Sequence, residues 1–150
     1  MSYEENVTFS HFGKSFQEKL CKLIFEDRPF SDQIGEVIDI NYFESKYLQV
    51  FSKLIYNYKE EYSTHPSRSI MESVLRTELT EESEIIQGRV RKFYAGIIAE
   101  TSSEDDSNYV KEKSLTFCRR QKIKEGFISA ARMIKDNDKF YISRRSRNYN

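Results

Sequence analysis

Large apolar residues recur along most of this chain at the three-and-four spacing that places them on one side of an α-helix. The fullest stripe is Phe43, Tyr47, Val50, Phe51, Leu54, Ile55, Tyr58 and Tyr62. It predicts a helix over Asn41 to Tyr62 and makes that helix the expected centre of the fold. At a rise of ~1.5 Å per residue it spans about 30 Å, the width of a small domain, so shorter helices can pack along it. No stretch reads as a strand.

The same reading gives the neighbours. Met1 to Phe12 has no clear period and is expected to be a loose lead-in, with Phe9 and Phe12 available to staple onto the first helix. That helix is predicted over Ser15 to Glu26, buried through Phe16, Leu20, Leu23 and Ile24, with Ser15 as N-cap and Glu18 completing a capping box. A short helix over Pro29 to Val37 follows, with proline in its first turn, and Asp39 or Asn41 caps the central helix. After the turn Ser63 to Ser67, a fourth helix is predicted over Ser69 to Glu78, facing inward through Ile70, Val74 and Leu75. A fifth is predicted from Thr80 to about Glu100, with the stripe Ile86, Val90, Phe93, Tyr94, Ile97 and Ile98.

Glu100 to Ser107 has no apolar residue and marks the boundary of a head domain over residues 1–101. From Asn108 to Lys135 the pattern predicts a helix of ~28 residues, about 40 Å, so part of it must project. Its apolar positions change face, from Val110, Phe117 and Ile128 to Ile123, Phe127, Ala130 and Ile134. Either two neighbours or one irregular groove accounts for both stripes. The fold class is therefore all-α: a compact bundle of about five helices followed by a long projecting C-terminal helix.

Composition narrows the function classes. The 150 residues carry 24 Lys plus Arg against 24 Asp plus Glu, so no overall basic field draws the chain to nucleic acid. Cys21 and Cys118 sit far apart inside helices and read as reduced packing residues rather than a disulfide or zinc pair. No apolar run approaches the ~20 residues of a membrane span, and Glu4 and Glu5 stand where a signal peptide would be basic and then apolar. The expected location is the cytoplasm, without membrane contact.

Candidate chemistry is sparse. Gly13-Lys14-Ser15 ends like a phosphate-binding loop, but that motif needs glycine where Thr8 stands, after a strand that is not there. His11 and His65 lack nearby partners for catalysis. Glu81, Glu82 and Glu84, like Glu104, Asp105 and Asp106, lack calcium-loop spacing and read as solvated acids. Lys111, Lys113, Arg119, Arg120, Lys122 and Lys124, followed by Arg144, Arg145 and Arg147, make the C-terminal third basic, with Phe140, Tyr141 and Tyr149 interleaved. Arg119, Arg120, Lys122, Arg144, Arg145 and Arg147 are the candidate nucleic-acid contacts. A solvated helix face with a frayed end accounts for them more simply. No catalytic residue, cofactor or metal site is predicted.

One resemblance spans about Phe12 to Lys135. LIFEDRPFSDQIGEVIDINYFES, the amphipathic helix to Tyr62, the Pro66-Ser67 turn with Ile70 and Val74, and VKEKSLTFCRRQKIKEGFISAARMI resemble, in that order, the N-terminal domain of phage replicative helicases of the DnaB family. Each piece is only an amphipathic helix with a turn; their succession carries the likeness. In that family the N-terminal domains pair through a helical hairpin into a collar on a hexameric ring, and primase and loading factors engage them. The nucleotide-hydrolysing motor is a separate domain whose motifs have no counterpart here.

The resemblance implies a chain that is not an enzyme by itself: a collar domain in DNA replication that binds other helicase subunits and a primase or loader, touches DNA only weakly or indirectly, and works in the host cytoplasm if phage-encoded. It assigns residues 108–135 to the first hairpin helix, with Val110, Phe117, Ile123, Phe127 and Ile134 as the subunit interface. Asp136 to Asp138 would be the hairpin turn. Residues 136–150, ending KFYISRRSRNYN, form a divergent basic tail, which suggests a truncated, split or frameshifted gene product. The alternative is a free-standing nucleic-acid-binding or helicase-inhibitory protein that uses the basic helix and tail.

Overall fold

The computed structural model describes residues 7–100 and 106–147, with side chains as far as Lys139. The described residues form an all-helical fold: α1 (Lys14–Glu26), α2 (Arg28–Gly35), α3 (Lys46–Tyr62), α4 (Arg68–Thr77), α5 (Glu84–Ala99) and α6 (Ser107–Arg147). Single 3₁₀ turns precede α1 and α3, at Ser10–Phe12 and Ile40–Tyr42.

Helices α1 and α3 together form the centre of the fold. Helix α1 packs on α2, α3, α6 and the first 3₁₀ turn, and α3 packs on α1, α5 and the second 3₁₀ turn and bonds α2 through Tyr56 and Lys59. Phe16, Leu20, Cys21, Ile24 and Phe25 bury the inner side of α1, and Leu48, Val50, Phe51 and Ile55 bury that of α3. Phe51 sets its ring edge-on to Phe93 at 5.1 Å and Phe25 at 6.0 Å, an arrangement favoured by the ring quadrupoles. Where α2 meets α3 the Tyr56 ring lies against the Gly35 backbone: a β-carbon on Gly35 would stand 2.8 Å from the ring.

The helix starts explain several departures from the sequence reading. Helix α1 starts from Gly13, whose φ of 84° glycine adopts without the β-carbon penalty. Ser15 therefore lies inside the helix, and no capping box forms; Glu18 accepts from the Tyr47 hydroxyl at 3.0 Å instead. Asp27 caps α2 by accepting from the Phe30 N–H at 3.1 Å. Asp39 caps the 3₁₀ turn through Asn41 N–H at 2.9 Å, and extended backbone at Phe43 and Ser45 delays α3 to Lys46. Ser67 caps α4 as expected, accepting from Ile70 N–H. Ser83, not Thr80, caps α5. Helix α4 turns Met71 and Leu75 inward and leaves Ile70 exposed.

The lead-in is not loose where it is described. Phe9 is fully buried, and its N–H donates to the Tyr42 carbonyl at 2.8 Å. The Gln17 side chain, almost wholly buried, donates to the carbonyls of Phe9 and Gly13 and to Glu44 Oε1 at 2.8 Å, while its own oxygen accepts from Glu44 N–H at 3.0 Å. One amide thus pins three segments and leaves no buried donor unsatisfied.

Candidate self-association surface on the long helix

Helix α6 has 41 residues, so at ~1.5 Å per residue it is about 60 Å long, half as long again as expected. It runs unbroken through Asp136 to Asp138, where the resemblance implied a hairpin turn. Asn and Asp cost a helix interior only about 0.5 kcal/mol each relative to alanine, and no proline or glycine stands there to stop it.

The first four turns belong to the head. Val110, Ser114, Leu115 and Cys118 are buried, and Val110, Leu115 and Cys118 join the same apolar core as α1 and α3. Phe117 is half-buried among Phe9, Tyr42 and Phe12, at ring distances of 5.1, 5.4 and 5.9 Å. Lys111 bonds Asp27 at 2.5 Å, tying α6 to the α1–α2 junction. Burial pushes the Asp27 carboxyl up, but bonds from Lys111 and the Phe30 N–H outweigh it and hold the group below its usual range. At the connection from α5, Lys22 pairs with Glu100 at 2.6 Å and Lys19 with Asp106.

Beyond Gln121 the helix leaves the head, and every residue from Lys122 to Lys139 is exposed. In that stretch Ile123, Phe127, Met133 and Ile134 are 60%, 72%, 66% and 63% exposed. At ~100° per residue, Ile123, Phe127, Ala130 and Ile134 form one stripe roughly 170° around the helix from the face that Val110, Ser114 and Cys118 press onto the head. The expected interface therefore divides. Val110 and Phe117 are taken up by contacts within the chain, whereas Ile123, Phe127 and Ile134 are uncovered. Ile128, read in the same stripe as Val110 and Phe117, lies past the end of the head and stays exposed.

The basic residues do not gather on one face. Arg119 and Lys122 lie on one flank of the apolar stripe and Arg120 and Lys124 on the other, all exposed. Arg144, Arg145 and Arg147 fall outside the described side chains. A groove of about 670 Å³ runs between α1 and α5, with Lys14, Lys22, Arg89 and Lys92 around a floor that includes Tyr47 and Phe93, and with the acids Glu18 and Glu100 paired to Lys14 and Lys22. Sequence periodicity missed it because its cations come from two helices far apart in the chain.

The reactive side chains are used structurally. Cys21 is buried with Sγ 3.0 Å from Ser52 Oγ, and burial pushes its thiol far up; burial likewise lifts Cys118 to about 12. His65 Nε2 donates to the Phe25 carbonyl at 2.5 Å, and Nδ1 accepts from Lys59 at 3.2 Å. Lys59 also reaches Asp32 at 2.5 Å and Ser31 Oγ at 3.0 Å. The His11 ring lies tilted against that of Phe12 at 3.9 Å. Among the described residues no group of His, Cys, Asp or Glu is placed to hold a metal ion, and no helix is long and apolar enough to cross a membrane. Compared with protein-family models, curated proteins and solved structures, the chain matches none.

Proposed function

We propose that this chain is a non-catalytic helical scaffold of the kind supplied by the N-terminal domain of DnaB-family replicative helicases, acting through helix pairing and docking of a primase or loader. One observation carries the proposal: α6 is anchored in the head by its first turns and then holds a row of large apolar side chains in water, pointing away from the head. Such a row on a rigid projecting rod has a use only when covered. The α1–α5 groove, where cations outnumber the acids Glu18 and Glu100 around an aromatic floor, suits an acidic docking segment. Sedimentation of the chain mixed with a hexameric DnaB-family helicase tests the replication part. Co-migration that Phe127→Glu abolishes supports it, and independent migration of the two proteins counts against it.

A second reading is favoured by one feature, the cations Arg119, Arg120, Lys122 and Lys124 that flank the stripe where α6 leaves the head. On that reading the outer helix binds nucleic acid, or blocks a helicase, as a free-standing protein. Salt separates the two. Binding through several phosphate contacts falls steeply between 50 and 200 mM salt, by roughly tenfold for each pair of contacts, whereas apolar helix pairing barely responds.

A further inference from the structure

We infer that the uncovered seam of α6 receives a second copy of the same helix running in the opposite direction, with Phe127 of each chain set against Ala130 of the other. This rests on the self-association part of the proposed function and is independent of the helicase part.

Ile123, Phe127, Ala130 and Ile134 follow one another at spacings of four, three and four, the alternation that keeps a seam facing a partner helix. Reversing a second copy about the midpoint of this run brings Ile123 opposite Ile134 and Phe127 opposite Ala130, each twice. The largest side chain of the seam then meets the smallest. The flanking positions follow the same rule, since Gly126 falls beside Met133 and Lys124 beside Ala131. No like charges meet within these four layers.

The parallel arrangement fails on both size and charge. It stacks Phe127 on Phe127 and leaves Ala130 facing Ala130, so the seam is overfilled at one layer and hollow at the next. It also sets Arg120 against Arg120 across the seam and brings Arg119 beside Lys124 on both sides, at the positions where coiled coils place their charge pairs. Orientation is therefore decided by the residues themselves. The head does not interfere, because the seam lies on the far side of α6 from the head-packed face. Nor does α6 fold back to cover the seam, since the helix continues through Asp136 to Asp138.

The area available sets the strength. The four large side chains of Ile123, Phe127, Met133 and Ile134 leave on the order of 450 Å² per chain in water, so pairing buries about 900 Å², below the ~1,600 Å² of a standard stable interface. The dimer is accordingly a weak one, formed at micromolar concentration and above.

Cysteine cross-linking between differently tagged chains tests the register. Cys21 and Cys118 are buried, so the new thiols Ile123→Cys and Ile134→Cys, both at exposed positions, report alone. Under mild oxidant the mixture is expected to give a disulfide joining the two variants, at least tenfold above either variant with itself. Self-linking of Ile123→Cys overturns the antiparallel orientation. Dimers by light scattering without the mixed disulfide overturn the register and leave self-association standing, whereas monomers at every concentration overturn both. An exchange of side chains gives a second readout. Ala130→Phe alone is expected to weaken pairing about tenfold by overfilling two layers, and adding Phe127→Ala is expected to restore it. Failure of the double variant to recover overturns the pairing of Phe127 with Ala130.

Discussion

The Phe117 ring lies 5.1 Å from that of Phe9, which joins the long helix to the segment ahead of α1 across more than a hundred residues of sequence. Tyr42 meets the same ring edge-on at 5.4 Å. Phe117 is thus a foundation of α6 and not part of its outer surface, and Phe127, ten residues further along the same helix, is the reverse.

That contrast sets the first expected outcome. Phe117→Ala removes ring contacts at a half-buried site and costs about 2–4 kcal/mol of stability, read as a lower urea midpoint. Phe127→Ala changes the stability of the monomer by less than about 0.5 kcal/mol, because its ring touches water. Equal losses for the two would contradict the placement of α6.

Asp27 both caps α2 and holds Lys111 of α6. Asp27→Ala is expected to cost about 1–2 kcal/mol through the cap. It should also speed amide exchange in the first turns of α6 more than in α5, which makes no bond to Asp27. Uniform exchange through both helices would mean that the Lys111 contact does not tether α6.

Stability should fall as the pH drops through the histidine range. Burial is the main effect that pushes His65 below its ordinary value of 6.5, with Lys59 acting in the same direction and the bond to the Phe25 carbonyl opposing. Between the folded pKa and 6.5 the unfolded chain binds a proton that the folded chain does not, so the contribution is complete above 6.5 and shrinks below it. Denaturant midpoints at pH 7.5 and 5.5 should differ more for the natural chain than for His65→Gln. Asp32, held below 3.8 chiefly by its bond from Lys59, contributes stability above 3.8 that is lost only as the pH falls further, through its folded pKa. The two steps should therefore be separable.

Both thiols are buried and shifted upward, so neither forms a thiolate near neutral pH. A colourless-to-coloured disulfide reagent should titrate them only at the rate of unfolding. Rapid reaction of Cys118 in the native state would show that the base of α6 opens locally.

Much of the fold was legible because most of its helices are amphipathic and bury one periodic stripe. Val90, Tyr94 and Ile97 of α5 are buried where spacing put them, and Ser67 caps α4. What escaped depends on tertiary contacts that have no period. Phe9 was legible as a staple for α1 but not as a buried partner of Tyr42, Phe43 and Phe117, and Gln17 is a polar residue whose burial is offset only by partners at Phe9, Gly13 and Glu44. Residues Asn41 to Ser45 belong to a helical stripe in sequence, yet the Asp39 cap and the bond from Glu44 N–H to Gln17 hold them out of α3. In α6 the change of apolar face was visible, but periodicity does not say where the head ends. The resemblance placed Val110 and Phe117 in one interface with Ile123 and Phe127 although the two pairs lie on different faces, and the packing gives the first pair to the head.

Whether the outer half of α6 pairs chains is read from the solution mass of the purified chain, measured by light scattering over micromolar to millimolar concentrations beside Phe127→Glu. The mass should rise from monomer toward dimer with concentration for the natural chain and stay monomeric for the variant, with both equally folded. A natural chain that remains monomeric throughout, or a variant that associates just as well, would contradict that pairing.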